Sequence, residues 1–136
     1  MYDPMDVARR FRSTGTDTHA VVTKLWAAPC SVVGLVLSLF FRHRYVTRGV
    51  IVAEGASWPR RLGWRFRAIT FGHVVLCVDE LDPATLEHEL VHVRQYERWG
   101  PVLFLAYPLA SLRVLAGGGR PYRDNPFEVE ARTKAR

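Results

Sequence analysis

DPATLEHELVHVRQYERWGP, residues 82 to 101, is the stretch from which the fold can be worked outward. Asp82 can accept hydrogen bonds from the free N–H groups at a helix start, and Pro83 at the first helical position loses no bond there. Gly100 can adopt the left-handed conformation that ends a helix, and Pro101 prevents continuation. These signals predict a helix from about Pro83 to Trp99. Helical spacing puts Leu86, Leu90 and Val93 on one face and His88, His92, Gln95 and Trp99 on another. His88 and His92 then stand one turn apart and can reach a single metal ion, with the carboxylate of Glu89 beside them. A catalytic zinc needs three protein ligands, an open position for water and a base for the water's proton. His88 and His92 suit the first role and Glu89 the last.

Upstream of this helix, Tyr45-Val46-Thr47 and Val50-Ile51-Val52 are β-prone runs joined by Arg48-Gly49, a pair suited to a tight hairpin turn. Residues 57 to 67 mix proline, glycine, tryptophan and arginine and predict a surface loop. Ala68 to Phe71 and Val74 to Val78 are strand-like runs around Gly72-His73. Downstream, the apolar stretch Val102 to Leu115 predicts a helix ended by Gly117-Gly118-Gly119. Asn125-Pro126 then repeats the cap-and-proline start signal, opening a short helix over Phe127 to Arg132 that carries Glu128 and Glu130. The expected class is α+β: a small, mostly antiparallel sheet from residues 45 to 78 beside the HExxH helix, with an N-terminal apolar helix and a helical C-terminal part.

The N-terminal region divides into a polar arm, residues 1 to 24, and an apolar segment, residues 25 to 41 (LWAAPCSVVGLVLSLFF), between Lys24 and Arg42-His43-Arg44. Seventeen residues sit at the lower limit for crossing a bilayer, so this segment is expected to associate with a membrane, spanning it or lying in its interface. Arg42, Arg44 and Arg48 behind it, against Lys24, Arg12 and Arg10 before it, place residues 42 to 136 on the cytoplasmic face by the positive-inside rule. Every candidate ligand lies beyond residue 87, so a fragment lacking residues 1 to 41 is expected to keep the metal.

In its 136 residues the chain carries 19 Lys and Arg against 13 Asp and Glu, a net charge of +6. That charge attracts anionic head groups, nucleic acid or acidic peptides. The basic residues are scattered through Arg9 to Arg12, Arg42 to Arg48 and Arg60 to Arg67 and match no known nucleic-acid motif, so no nucleic-acid partner is expected and that reading is kept only as an alternative. Cys30 and Cys77 are isolated, which excludes a disulfide framework and a cysteine zinc site.

HELVHVRQYERWGP, followed by AYPL and YRDNPFEVEAR, resembles the gluzincin class of HExxH zinc peptidases, in which a Glu from a later helix is the third ligand. It is also similar, over roughly residues 70 to 132, to small bacterial membrane-associated proteins with the same ordered blocks. The resemblance implies a zinc cofactor held by His88 and His92, Glu89 as general base, and hydrolysis of a peptide or protein substrate. Aligned with the class's Glu-x-x-x-Asp pattern, Glu128 is the third ligand and Arg132 stands where the Asp would orient a liganding His. Glu130 is the alternative ligand, and a capping-box role is the alternative for Glu128. Tyr122 or His73 are candidate donors to a developing oxyanion. The strand before the HExxH helix, Val74 to Val78, is expected to bind substrate backbone by edge addition. The rival reading is a membrane-associated, non-catalytic metal-binding or regulatory protein, whose structural site a fourth protein ligand would close.

Overall fold

Two tight turns build the sheet. Arg48 and Gly49 both take positive φ, +49° and +79°, and so join β1 (His43–Thr47) to β2 (Val50–Glu54) as an antiparallel hairpin. Gly72, at φ +60°, opens the turn between β3 (Ala68–Phe71) and β4 (Val74–Cys77), also antiparallel. The second hairpin does not extend the first in chain order. β4 pairs parallel with β2, and the strand order is β1-β2-β4-β3. A parallel pair needs a long crossover; residues 55 to 73 supply it, through the short helix α2 (Trp58–Arg61) and β3. All four residues of β4 are buried, as expected of an interior strand. The expectation that Val74 to Val78 offers a free edge is therefore corrected. The edge strands are β1 and β3, and the crossover carries β3 outside β4.

This computed structural model describes the backbone of residues 4 to 136 and the side chains of residues 18 to 136. Its class is α+β, with a four-stranded mixed sheet, the long N-terminal helix α1 (Pro4–Ser38) and C-terminal helices. These are α3 (Pro83–Trp99), a 3₁₀ turn (Gly100–Val102), α4 (Leu103–Ala116) and α5 (Pro126–Lys134). The period-two alternation of β2 and β4 sends side chains to two cores. Val50, Val52 and Val75 pack with Leu90 and Val93 of α3, while Ala53, Val74 and Leu76 pack with Phe41 and Ala56. Both cysteines are buried and free.

α1 is continuous through the Lys24/Leu25 boundary and through Pro29, so the polar arm and the apolar segment are one helix. Most of the arm's side chains lie outside the described residues. From Ala27 on, the buried face is made of small groups: Ala27, Cys30, Gly34 and Ser38 are buried, and Ser31 is half-buried. Small residues let the helix backbone lie directly on the β3–β4 hairpin. A Cβ added at Gly34 would stand 2.6 Å from that of Val74, and one at Gly72 would meet Ser31. The Ser31 hydroxyl accepts from the His73 N–H at 3.0 Å. Ala27 and Cys30 also share a core with Tyr96 and Leu103. A fragment beginning at residue 42 would lose these contacts and Phe41, so the expectation that it folds and keeps its metal is withdrawn.

The close approach gives a direct test. Gly34→Val should destabilise the protein by about 1–3 kcal/mol through overpacking against Val74. Val33→Ala, at an exposed neighbour, should stay within about 0.5 kcal/mol. Denaturation midpoints of the full chain in mild detergent measure both, and an unchanged midpoint for Gly34→Val would refute the contact.

Candidate metal centre

The start of α3 is built as its residues dictate: Asp82 Oδ1 accepts from the Thr85 N–H at 2.9 Å and Pro83 fills the first helical position. At the start of α5, Asn125 Oδ1 accepts from the Phe127 N–H at 3.0 Å, followed by Pro126. Asn125 is buried, and its amide donates to Ser111 Oγ at 2.8 Å and to the Tyr107 carbonyl at 3.2 Å, tying α5 to α4. Capping is thus done by Asn125, and the Glu128 side chain faces α3 instead.

Three candidate ligand residues converge there. His88 Nε2 lies 3.1 Å from Glu128 Oε2, His92 Nε2 lies 3.3 Å from Glu128 Oε1, and the two imidazole nitrogens are 3.2 Å apart. The two short contacts use different oxygens of the Glu128 carboxylate. With one ligand atom per residue, the three lie within 4.8 Å of one another. That triangle is close enough to gather on one ion, whose tetrahedral ligands stand about 3.3 Å apart. Among the described residues, His88, His92 and Glu128 form the one group of His, Cys, Asp and Glu able to hold an ion.

Hydrogen bonds fix which imidazole nitrogen is free. The Gln95 amide donates to the Phe127 carbonyl at 2.9 Å and to Glu130 Oε2 at 2.8 Å, which leaves Gln95 Oε1 facing His92 Nδ1 at 2.8 Å. An amide oxygen accepts only, so Nδ1 carries a proton and Nε2 is the nitrogen turned to the shared centre. Gln95 thereby does for His92 what the absent Asp at position 132 would do. Arg132 instead donates to the Arg123 carbonyl. Glu130 acts through Gln95 and also pairs with Arg98 and Lys134, so its carboxylate is committed away from the triangle.

Glu89 is buried beside the triangle, and Thr70 Oγ1 of β3 donates to its Oε2 at 2.6 Å. Burial raises its carboxyl pKa, against the pull of His92, Thr70 and His88. Burial also opposes ionisation of Glu128, but hydrogen bonds from His88, His92 and Tyr107 and the charge of His92 hold its carboxyl well below the usual range. His92 moves the other way: burial disfavours its charge, and Glu128 and Glu89 outweigh that and raise its pKa. The group is electrostatically arranged for a cation at its centre.

Tyr122 lines the same cleft as Glu89, His92 and Glu128. Burial and the charge of Glu128 push its phenol up to about 12, so it remains a donor. His73 does not reach the cleft. It sits in the β3–β4 turn with Nε2 on Glu97 at 2.9 Å, and its candidacy as oxyanion donor is corrected. Two site residues escaped sequence reasoning. Thr70 is the polar residue in the strand Ala68–Phe71, and Tyr107, whose hydroxyl donates to Glu128 Oε1 at 2.7 Å, sits in the AYPL block of α4. A hydroxyl inside each apolar run was the available signal. The cleft encloses about 200 Å³, with Phe66, Ile69, Phe71, Leu103 and Phe104 forming apolar walls.

No family model, curated protein or solved structure matches this chain. The geometry orders the ligands by itself. Glu128→Ala should abolish stoichiometric metal binding, whereas Glu130→Ala and Gln95→Leu should weaken it about 10–100-fold by releasing His92. Competition with a chromogenic chelator measures all three, and a larger loss in Glu130→Ala than in Glu128→Ala would reverse the assignment.

Proposed function

We propose that the protein is a membrane-associated zinc peptidase of gluzincin type, with His88, His92 and Glu128 as ligands and Glu89 as general base. One observation carries this: a three-ligand triangle lies beside a buried, raised-pKa carboxylate at the floor of an apolar cleft next to a free strand edge. Two imidazoles and a carboxylate are a catalytic zinc set. A structural site would be closed by a fourth protein ligand, and the group found among the described residues has three. That favours peptidase over the non-catalytic metal-binding reading.

Bound zinc would supply a Lewis acid for the scissile carbonyl and lower the pKa of an attacking water. Glu89, with one oxygen held by Thr70, takes the water's proton on the other and passes it to the leaving amine. The Tyr122 phenol offers a hydrogen bond to the developing oxyanion. The substrate backbone adds to the edge strand β3, and one bulky apolar side chain enters between Phe66, Phe71 and Phe104.

Membrane association rests on an inverted helix. α1 buries small groups and exposes Val21, Val22, Leu25, Val32, Leu35 and Val36, while α4 exposes Leu105, Leu109, Leu112 and Leu115. Two helical stretches, Thr18–Ser38 and Pro83–Ala116, are long and apolar enough to cross a membrane. The second includes Glu87, Glu89, Arg94, Glu97 and Arg98 of α3, so its lipid contact is assigned to α4. The outward faces of α1 and α4 lie in lipid, and the site faces the cytoplasm.

Glu89→Gln should keep one zinc per chain and lose cleavage by about 10²–10⁴-fold, because a base is not a ligand. An internally quenched peptide library with apolar residues at each position is the probe, run with the zinc-loaded full chain in detergent. Equal cleavage by Glu89→Gln, or none by the loaded wild type, would contradict the proposal.

A further inference from the structure

The positive charge of this protein is concentrated next to the end of α1. Residues 42 to 67 hold seven arginines against Glu54 alone, and the remainder of the chain is close to neutral. Where α1 stops, Leu39 and Phe40 remain two-thirds exposed. α2 folds against them: Trp58 Nε1 donates to the Phe40 carbonyl at 3.2 Å, and the Trp58 ring meets Phe40 and Trp64 edge to face. Leu62, just after α2, is 70% exposed.

Arginines flank this aromatic cluster along the chain. The Arg44 guanidinium donates to the Ser38 and Phe41 carbonyls at the α1 terminus. Arg60 pairs with Asp79, Arg48 with Glu87 and Arg67 with Asp82, so those three charges are partly neutralised. Arg42, Arg61 and Arg65 are exposed and have no acidic partner among the described residues. Asp79, paired with Arg60, and Glu80 are the exposed carboxylates nearby, sharing a shallow surface hollow with Arg42 and Arg60.

We propose that this collar of Arg42, Arg61 and Arg65 around Phe40, Trp58, Leu62 and Trp64 docks into the headgroup layer of an anionic bilayer. Its indoles and apolar tips suit the boundary between acyl chains and headgroups, and its unpaired guanidinium groups match lipid phosphates geometrically. It continues the outward apolar face of α1, so one surface engages acyl chains and headgroups together. The proposal rests on the membrane association argued above and adds to it a selectivity for negative lipid. It also fits a cytoplasmic orientation, since that leaflet carries the anionic lipids.

The test is flotation of the full chain with vesicles of phosphatidylcholine alone and of an equal mixture with phosphatidylglycerol. Each unpaired arginine near an anionic surface contributes roughly fivefold in affinity. The wild type should therefore prefer the mixed vesicles by at least about tenfold, and Arg61→Glu/Arg65→Glu should abolish that preference. The charge-matched control Arg94→Glu/Arg136→Glu, remote from the collar in sequence, should keep most of it. Retained zinc stoichiometry and an unchanged circular dichroism spectrum verify that each variant is folded. Equal wild-type binding to both vesicles, or an equal loss in the control, overturns the collar and leaves membrane association standing. Binding to neither vesicle overturns both.

Discussion

Glu128 is a carboxylate held in the protein interior, and three helices are arranged to make that tolerable. An ionised carboxyl removed from water costs several kcal/mol unless opposite charge and donors surround it. Here α3 brings two imidazoles, α4 a phenol, and the buried Asn125 cap fixes where α5 begins. The same convergence positions Gln95 between His92 and α5, and so selects the nitrogen that points inward. A metal ion at this centre would replace protons that otherwise bridge the group. Binding it and assembling α3, α4 and α5 would therefore be linked steps.

The parts of this arrangement encoded locally were legible in the chain. Asp82-Pro83 and Gly100-Pro101 bracket α3 as expected, Arg48-Gly49 makes the first hairpin turn, and Asn125-Pro126 starts α5. His88, His92 and Glu128 come together in one group. Features set by long-range packing were not legible. The order β1-β2-β4-β3 arises from a crossover that no local signal encodes, so β4 looked like an edge and is interior. Thr70 and Tyr107 lie in apolar runs far from the motif, and only the fold shows that they reach Glu89 and Glu128.

α1 shows what hydropathy alone leaves out of the N-terminal region. Its run of apolar letters conceals a stripe of small residues, Ala27, Cys30, Ser31, Gly34 and Ser38, at helical spacing. Small residues at a helix contact and large apolar ones outside are the pattern of helices packed in lipid, where close approach replaces the hydrophobic effect as the driving force. The helix is both the proposed membrane contact and a wall of the core that supports β3, the edge beside the cleft. On the proposed reading, anchoring and site architecture are carried by one element, so removing it would cost both.

The central claim is that His88, His92 and Glu128 hold one ion with a position left open. X-ray absorption at the metal edge of purified, zinc-loaded protein tests it most directly. The account predicts a four-coordinate shell of nitrogen and oxygen at about 2.0–2.1 Å, with outer scattering from two imidazoles that is lost in His92→Ala. A sulfur shell at about 2.3 Å, or two-imidazole scattering that survives in His92→Ala, would contradict it.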